Sequence, residues 1–270
     1  MRDSFEPAIM AFLPNPNSLA DSYRTRPTPA CTFPDLASGM AIWTISAAPD
    51  NDGWDHVITD EHGAETARAW DGNPLASDPP SASGSIACLR SGWVGGEGHP
   101  EDGVFTSSFE TWAKAGAERF GERWPEVAAR YERIWVWPHA RHVLSDTQSI
   151  FTNVRDDGGP LAGAGVLLEP TALLTASMIE AAEDHLMRTA DTLFDHVRTE
   201  AVIVSNAVVV EPADGAAVGP SGPAMRPAPA HAGVVPVELL RRLTRMALDA
   251  GKPVVLYGDN VEAQRATLAV

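Results

Sequence analysis

One carboxylate follows directly after an aliphatic run in the segment GVLLEPTALL, residues 165–174. Glu169 comes after Val166, Leu167 and Leu168, a run that is typical of a buried strand. An isolated buried charge is very costly, so this carboxylate must be solvated, paired with a cation or bound to a metal. We treat Glu169 as a candidate general base or metal ligand, and an ion pair with an arginine is the simpler alternative.

Other side chains could share that chemistry. His139 and His142 form an H-x-x-H motif in PHARH, where both rings could reach one ion, although a solvated loop is the simpler interpretation. His231 lies in the proline-rich segment PAPAHAG. Arg90 ends the run SIACLR, and its planar guanidinium could bind a substrate phosphate or carboxylate in a bidentate manner, or could pair with Glu169.

Three more candidates for contact with a ligand follow hydrophobic runs. Trp137 ends RIWVW, where it and Trp135 alternate with smaller apolar residues; core packing is the default, and an aromatic wall for a sugar ring is the alternative. Asn206 interrupts AVIVSNAVVV. Asp259 follows VVLYG, where it is either a site residue or the cap of a short final helix.

The second half of the chain alternates between strand and helix. AVIVSNAVVV, residues 201–210, is a β-branched run of the kind that parallel sheets cover on both faces. A capping box at Ser177 and Glu180 predicts the helix before this run. Pro236 and Gly251 mark the start and end of the helix after it, and PVVLYGD is the next strand. This βαβαβ order predicts a parallel sheet with right-handed crossovers.

The whole chain offers eight candidate strands, the number that a closed (β/α)₈ barrel needs. The earliest are AIMAFL, MAIWTISA and DHVITD, and almost no helical periodicity separates them. DHVITDEHGAETARAW could equally be a hairpin that turns at His62 and Gly63. We therefore predict an α/β fold, a TIM-type barrel in a single domain over residues 1–270. Its irregular N-terminal part covers residues 1–84, and regular βα units cover residues 85–270.

Composition excludes some classes of partner. The chain has 36 acidic and 20 basic residues and a formal net charge of −16, with no basic cluster. Binding to nucleic acid or to an anionic membrane surface is therefore not expected. No apolar stretch approaches bilayer-spanning length, and the N-terminus is a poor signal peptide. The chain has only two cysteines, Cys31 and Cys88, so we expect a cytoplasmic protein with reduced thiols. The sequence leaves open whether the protein forms a homo-oligomer.

A family resemblance enters through the strand ends. In order and spacing, the later segments resemble the last four strands of the xylose-isomerase-like TIM barrels. These segments are RIWVWPHARHVLSDTQSIFTN, GVLLEPTALL, AVIVSNAVV, PAHAGVVPVELLRRL and KPVVLYGDN. The superfamily includes sugar and sugar-phosphate isomerases and epimerases, and DNA repair enzymes of the endonuclease-four type. The acid excess disfavours the DNA repair branch.

The resemblance implies a divalent metal, zinc, manganese or magnesium, at the C-terminal mouth of the barrel. Such a metal polarises a substrate carbonyl or hydroxyl while carboxylates or histidines move protons. Glu169 stands where the sixth strand of the family offers an Asp, and His231 matches a His ahead of the last helix. The other family ligands are replaced by Trp137 or Pro138, by Ser205 and Asn206, and by Tyr257 with Asp259 two residues on.

Two hypotheses follow. The first is a sugar or sugar-phosphate isomerase or epimerase that acts by proton transfer next to a carbonyl. Glu169 would be its base or metal ligand, His231 or His142 the partner, and Arg90 the anion anchor. The second is a barrel without metal or catalysis that binds a small molecule, carbohydrate-like in character, or a protein; the replacements at the family's ligand positions favour it.

Overall fold

Ten strands and five α-helices form within the residues that the computed structural model describes, namely 41–49, 52–81, 85–95, 108–154, 161–210 and 223–270. The strands are β1 (Ile42–Ala47), β2 (His56–Thr59), β3 (Glu65–Trp70), β4 (Ile86–Arg90), β5 (Ile134–Trp137), β6 (Gly165–Leu168), β7 (Thr199–Ile203), β8 (Asn206–Val210), β9 (Ala224–Ala228) and β10 (Val254–Tyr257). Eight of them close into a barrel in the order β1-β10-β7-β6-β5-β4-β3-β2. The predicted α/β barrel is confirmed.

The first three strands of the barrel form a meander instead of βα units. β2 runs antiparallel to both β1 and β3, whereas every other neighbouring pair in the barrel is parallel. The β2–β3 turn is closed by a hydrogen bond from the Gly63 amide to the Asp60 carbonyl. Gly63 has a φ of +78°, a conformation that favours glycine. The hairpin interpretation of this segment is therefore confirmed.

The described helices are α1 (Lys114–Ala128), α2 (Thr147–Asn153), α3 (Ala182–Leu193), α4 (Val237–Asp249) and α5 (Val261–Leu268). Short 3₁₀ helices cover Phe109–Trp112, Pro170–Leu173 and Ala176–Ala181. The capping box expected at Ser177 and Glu180 is wrong: the α-helix begins only at Ala182, after 3₁₀ turns without a side-chain cap. α4 begins after Pro236 and ends before Gly251, whose φ is +70°, as predicted.

Buried apolar side chains form two layers, one on each face of the barrel wall. Trp135 and Trp137 belong to the cluster inside the barrel, and Ile134 and Val136 belong to the cluster between the barrel and its helices. Gly165 lies beside Trp135, and a Cβ at Gly165 would come within 2.5 Å of the indole. A side chain at this point of β6 would therefore displace the tryptophan that fills the barrel.

The run AVIVSNAVVV is two strands, not one. β7 ends at Ile203 inside the barrel wall, and β8 begins at Asn206 and pairs with β9 in a separate antiparallel sheet. This β8–β9 hairpin packs against the 3₁₀ helix Pro170–Leu173, which follows β6. No Gly or Pro marks the break between the two strands, so the hydrophobic pattern alone does not show it.

Some expectations concern residues that the structure does not describe. The candidate strand AIMAFL and Cys31 lie outside the described residues, so the single domain over residues 1–270 stays a prediction. Cys88 is a free, buried cysteine inside the barrel. None of the helices in the described part of the chain is long and apolar enough to cross a bilayer.

Candidate functional site

Polar and aromatic side chains from seven barrel strands meet at one edge of the barrel. This edge is the one where the parallel strands end, which is the face that carries the active sites of TIM barrels. β2 runs the other way and contributes the residue at its start, because His56 lies opposite Ala47 and Ala69, near the ends of β1 and β3. The mouth residues are His56, Asp71, Arg90, Trp137, Glu169, Ser205 and Tyr257.

Glu169 is fully buried, and three donors hold its carboxylate. Oε1 accepts hydrogen bonds from the Ser205 hydroxyl at 2.7 Å and the Tyr257 hydroxyl at 3.2 Å. Oε2 accepts one from the Trp137 indole N–H at 3.0 Å. Burial raises the pKa of Glu169, and the nearby Arg90 charge and the three donors oppose this effect. Burying a carboxylate is costly unless its oxygens accept hydrogen bonds. These three donors therefore allow Glu169 to lie at the buried inner end of the mouth, which we call its floor.

Arg90 is also buried, and it lies between two carboxylates. Its Nε donates to Asp71 Oδ1 at 2.9 Å, and its charge interacts with that of Glu169. Its guanidinium carbon lies 3.5 Å from the centroid of the Trp137 ring, a close cation–π contact. Sequence reasoning left an anion anchor and a pair with Glu169 open, and it missed the direct partner, Asp71.

His56, Asp71 and Tyr257 are the partly exposed residues of the mouth. His56 Nε2 lies 2.7 Å from Asp71 Oδ2, and the two side chains are 25% and 32% exposed. The His56 ring also meets the Trp137 ring at 68°, with centroids 6.3 Å apart. Neither His56 nor Asp71 was among the predicted site residues. The hairpin interpretation was the signal that could have found them, since it brings the start of β2 and the end of β3 to the same edge.

The contacts therefore run without a break from the rim of the mouth to its floor. Asp71 joins His56 to Arg90, Arg90 stacks on Trp137, and Trp137 donates to Glu169. Charges alternate along this path from carboxylate to guanidinium to carboxylate. Such a network fixes each side chain in place and leaves accessible groups only at the His56 end.

The H-x-x-H motif is buried rather than solvated. His139 and His142 are 3% and 0% exposed, and their ring centroids lie 4.9 Å apart. His142 stacks on Trp93 at 5.1 Å, and the His139 amide donates to the Leu144 carbonyl. The three donors to Glu169 include no histidine. Pairing of His142 with Glu169 stays a prediction that these contacts do not support.

His231 and Asp259 are exposed, whereas Glu169 is fully buried. The Asp259 carbonyl accepts from Gln264 at 2.8 Å, and it is Asn260 that occupies the N-cap position of α5. No hydrogen bond or ion pair between Glu169 and either residue occurs within the described ranges. The structure thus does not bring the predicted catalytic partner or the predicted ligand contact to Glu169.

Asn206 has contacts that do not support its assignment as a ligand contact, which stays a prediction. Its Oδ1 accepts from the Ala207 and Val235 amides, both at 2.8 Å. Its Nδ2 donates to the Val235 carbonyl at 2.9 Å. The side chain is 2% exposed, and its amide is used to tie the start of β8 to the loop before α4. It has no accessible polar atom for a substrate.

The mouth does not fit the implied divalent metal. In the described part of the chain, no three His, Cys, Asp or Glu side chains converge as metal ligands. The Glu169 oxygens already face three hydrogen-bond donors, and Arg90 adds a positive charge beside them. A hard cation needs several oxygen lone pairs directed at it, and this environment directs N–H and O–H groups instead. The expected pair of ligands, Glu169 and His231, is therefore not supported as a metal site.

Among known proteins, similarity to this chain was found only for solved structures. No protein-family model matches the chain, and no curated protein matches it. The chain is similar to a xylose isomerase-like TIM barrel protein from Mycobacterium smegmatis in complex with magnesium, at 14% identity and a TM-score of 0.40. The match covers 69% of this chain and 61% of that protein, less than two thirds of its length. It carries no inference about activity or metal, and the closed eight-stranded α/β barrel rests on this chain's own strand order.

Proposed function

We propose that the protein binds a small, neutral, carbohydrate-like molecule at the C-terminal mouth of its barrel, with no metal ion at Glu169. The observation that supports this proposal is the continuous path of polar contacts from accessible Asp71 and His56 to buried Glu169. Binding sites in proteins contain a few polar groups that are fixed in position, and these contacts fix Asp71 and His56. Asp71 would accept hydrogen bonds from sugar hydroxyls, and the partly exposed His56 ring would lie beside the sugar.

A neutral ligand suits this mouth better than a phosphate. Arg90 already has Asp71 as a partner and Glu169 beside it, so its positive charge is balanced before any ligand arrives. The accessible carboxylate of Asp71 would repel an anion at the rim. The formal net charge of −16 acts in the same direction over longer distances. The sugar-phosphate alternative is therefore the weaker one.

Isomerase or epimerase activity is the second candidate. The isomerase hypothesis drawn from the sequence needs Glu169 as base or metal ligand. A fully buried carboxylate that is held by three donors cannot reach a substrate. This observation favours the binding protein over the metal enzyme. One feature supports proton transfer without a metal, namely the accessible pair of His56 and Asp71.

Titration calorimetry with D-xylose, D-glucose, xylitol and D-xylose 5-phosphate would test the proposal. We expect the neutral sugars to bind more tightly than the phosphate, with the same affinity in EDTA. Asp71→Asn should weaken binding about tenfold, which corresponds to about 1.4 kcal/mol. His62→Gln is the matched control, since His62 is 82% exposed in the turn at the opposite end of β2.

Two results would contradict the proposal. One is that none of the neutral sugars binds, and the other is that binding disappears when EDTA removes a metal. Three other expectations stay predictions: a cytoplasmic location, the absence of nucleic-acid and membrane partners, and a possible homo-oligomer.

A further inference from the structure

A cleft of about 480 Å³ lies on the outer side of the barrel wall. Its two walls are the start of α2 and one face of α3, and its base is the 3₁₀ helix Pro170–Leu173 with Leu174 after it. Leu173 and Leu174 belong to the cluster between the barrel and its helices, and none of the seven mouth residues lines the cleft. The cleft is therefore separate from the mouth, and its volume is typical of small-molecule sites in proteins.

We infer that this cleft binds a linear aliphatic polyamine, with ammonium groups at Asp146 and Asp191 and methylene groups over the apolar base. The inference goes beyond the proposed function, because it concerns another part of the molecule and a cationic ligand. Neither proposal depends on the other.

The base of the cleft is apolar. Pro170, Leu173 and Leu174 are buried and fixed by the packing beneath them, whereas Met178 is only partly buried. The flexible thioether side chain of Met178 can adjust to a chain that lies beside it. An aliphatic chain gains free energy when it leaves water for such a surface, so the base favours a ligand with methylene groups.

The walls of the cleft favour a cation with more than one charge. Asp146 lies at the start of α2 and Asp191 lies on α3, so each wall carries one carboxylate. Among the described residues that line the cleft, Arg188 is the only Arg or Lys, and its Nε lies 3.0 Å from Asp184, a carboxylate outside the cleft. Asp184 therefore balances the charge of Arg188, and the two wall carboxylates remain for a ligand. The formal net charge of −16 attracts a cation over longer distances.

The polar atoms that the walls leave for a ligand include several acceptors. Asp146 Oδ1 accepts from the Ser149 amide at 2.7 Å, and within the described residues Oδ2 takes part in no hydrogen bond. Thr189 and Thr192 donate their hydroxyl hydrogens to carbonyls one turn earlier in α3, at 2.9 and 2.8 Å, so their oxygen lone pairs remain. An ammonium group only donates hydrogen bonds, and it therefore matches these acceptors.

Titration calorimetry with spermidine, cadaverine and pentane-1,5-diol tests the inference. The diol has the chain of cadaverine without its charges, and we expect it to bind at least about tenfold more weakly than cadaverine. The affinity for spermidine should fall severalfold when the salt concentration is raised about tenfold. N-acetyl-lysine methylamide carries one ammonium group on a similar chain, and it should bind at least about fivefold more weakly than cadaverine.

Single substitutions and a methyl signal locate the bound amine. Asp146→Asn and Asp191→Asn should each weaken spermidine binding at least about fivefold, and Asn at position 146 can still cap α2. Asp195→Asn is the matched control, since it removes the same charge just after α3 from an exposed residue that does not line the cleft. In protein with ¹³C-methyl methionine, spermidine should shift the signal of Met178, assigned with Met178→Leu, but not that of Met246 in α4.

Four results would overturn the inference. They are no binding of either amine, equal binding of the diol, an equal loss of affinity in Asp195→Asn, and an unshifted Met178 signal when spermidine is bound. Equal affinity for N-acetyl-lysine methylamide would also overturn it, because the cleft would then suit a lysine side chain of another protein as well as a free polyamine.

Discussion

The two halves of the barrel wall contribute different things to the mouth. The β1–β3 meander provides His56 and Asp71, which are partly exposed and joined by a hydrogen bond. The strands from β4 onward provide Trp137 and Glu169, which are fully buried and joined to Arg90. The half with regular βα units therefore builds a stable floor, and the half without helices presents the groups that a ligand can reach.

This difference reverses the usual expectation for a TIM barrel, in which the ends of the regular strands carry the chemistry. Glu169 does lie at the end of such a strand, but its surroundings consume its capacity to accept hydrogen bonds. A polar residue at the C-terminal mouth can thus serve stability as well as function. Substitutions in the floor and in the rim should separate these two roles.

The largest expected effect is the difference in stability between Glu169→Ala and His56→Ala. Removing Glu169 leaves the buried donors of Trp137 and Ser205, and the partly buried Tyr257 hydroxyl, without their acceptor and takes away the negative charge near Arg90. Breaking a buried charge network of this kind costs about 3–5 kcal/mol. Removing His56 exposes Asp71 to water and should cost less than about 1 kcal/mol. The free energy of unfolding in urea measures both.

The comparison would be contradicted if His56→Ala lost as much unfolding free energy as Glu169→Ala, or more. Glu169→Ala as stable as the parent protein would show that the floor network is not needed for folding. In that case Glu169 would return as a candidate functional residue.

The second effect is a dependence of stability on pH. Burial raises the pKa of Glu169 above the ordinary value for glutamate, so the folded protein binds this proton more tightly than the unfolded chain does. The contribution of Glu169 to stability is then largest below the unfolded pKa, and it falls as pH rises through the folded pKa. Glu169→Gln removes this titration.

We therefore expect the stability of the wild-type protein, relative to Glu169→Gln, to decrease as the pH rises from 4 toward neutrality. The slope can reach about 1.4 kcal/mol per pH unit at most, since a single proton is involved. Urea denaturation of both proteins across this range measures the difference. A relative stability that increases with pH would show that the three donors and Arg90 outweigh burial.

The sequence locates strands in both halves of the barrel, but it leaves the connection of the first ones open, since the hairpin is only one of two interpretations there. After Ser85, buried strands and amphipathic helices have distinct hydrophobic periods, so β4–β7, α4 and β10 could be located. Arg90, Trp137 and Glu169 could be named because each ends an apolar run. Their environment could not be predicted, because the Arg90–Asp71 pair depends on which strands become neighbours in the closed ring.

The sequence does not predict the rim because neither His56 nor Asp71 ends an apolar run: Asp71 follows ETARAW, in which charged and small residues alternate. β2 is antiparallel, and His56 reaches the mouth from the start of its strand. Asn206 also follows an apolar run, but its side-chain amide binds backbone groups, a role that the hydrophobic pattern does not indicate. Strand direction and backbone hydrogen bonding are tertiary properties that a hydrophobic pattern does not encode.

The smallest effect concerns Tyr257, which ends β10 where the regular half of the barrel meets β1. Tyr257→Phe deletes one hydroxyl that donates to Glu169, and the loss of such a hydrogen bond costs about 1 kcal/mol. This donor also lowers the pKa of Glu169, so its removal should extend the fall of stability to higher pH. The matched control is Tyr131→Phe, which deletes a hydroxyl that donates to the Pro80 carbonyl, away from the mouth. Both variants should lose stability in urea, but only Tyr257→Phe should change its pH dependence between pH 4 and 8. An equal pH profile for the two would mean that Tyr257 contributes packing alone, and that the floor network is confined to Trp137, Ser205 and Arg90.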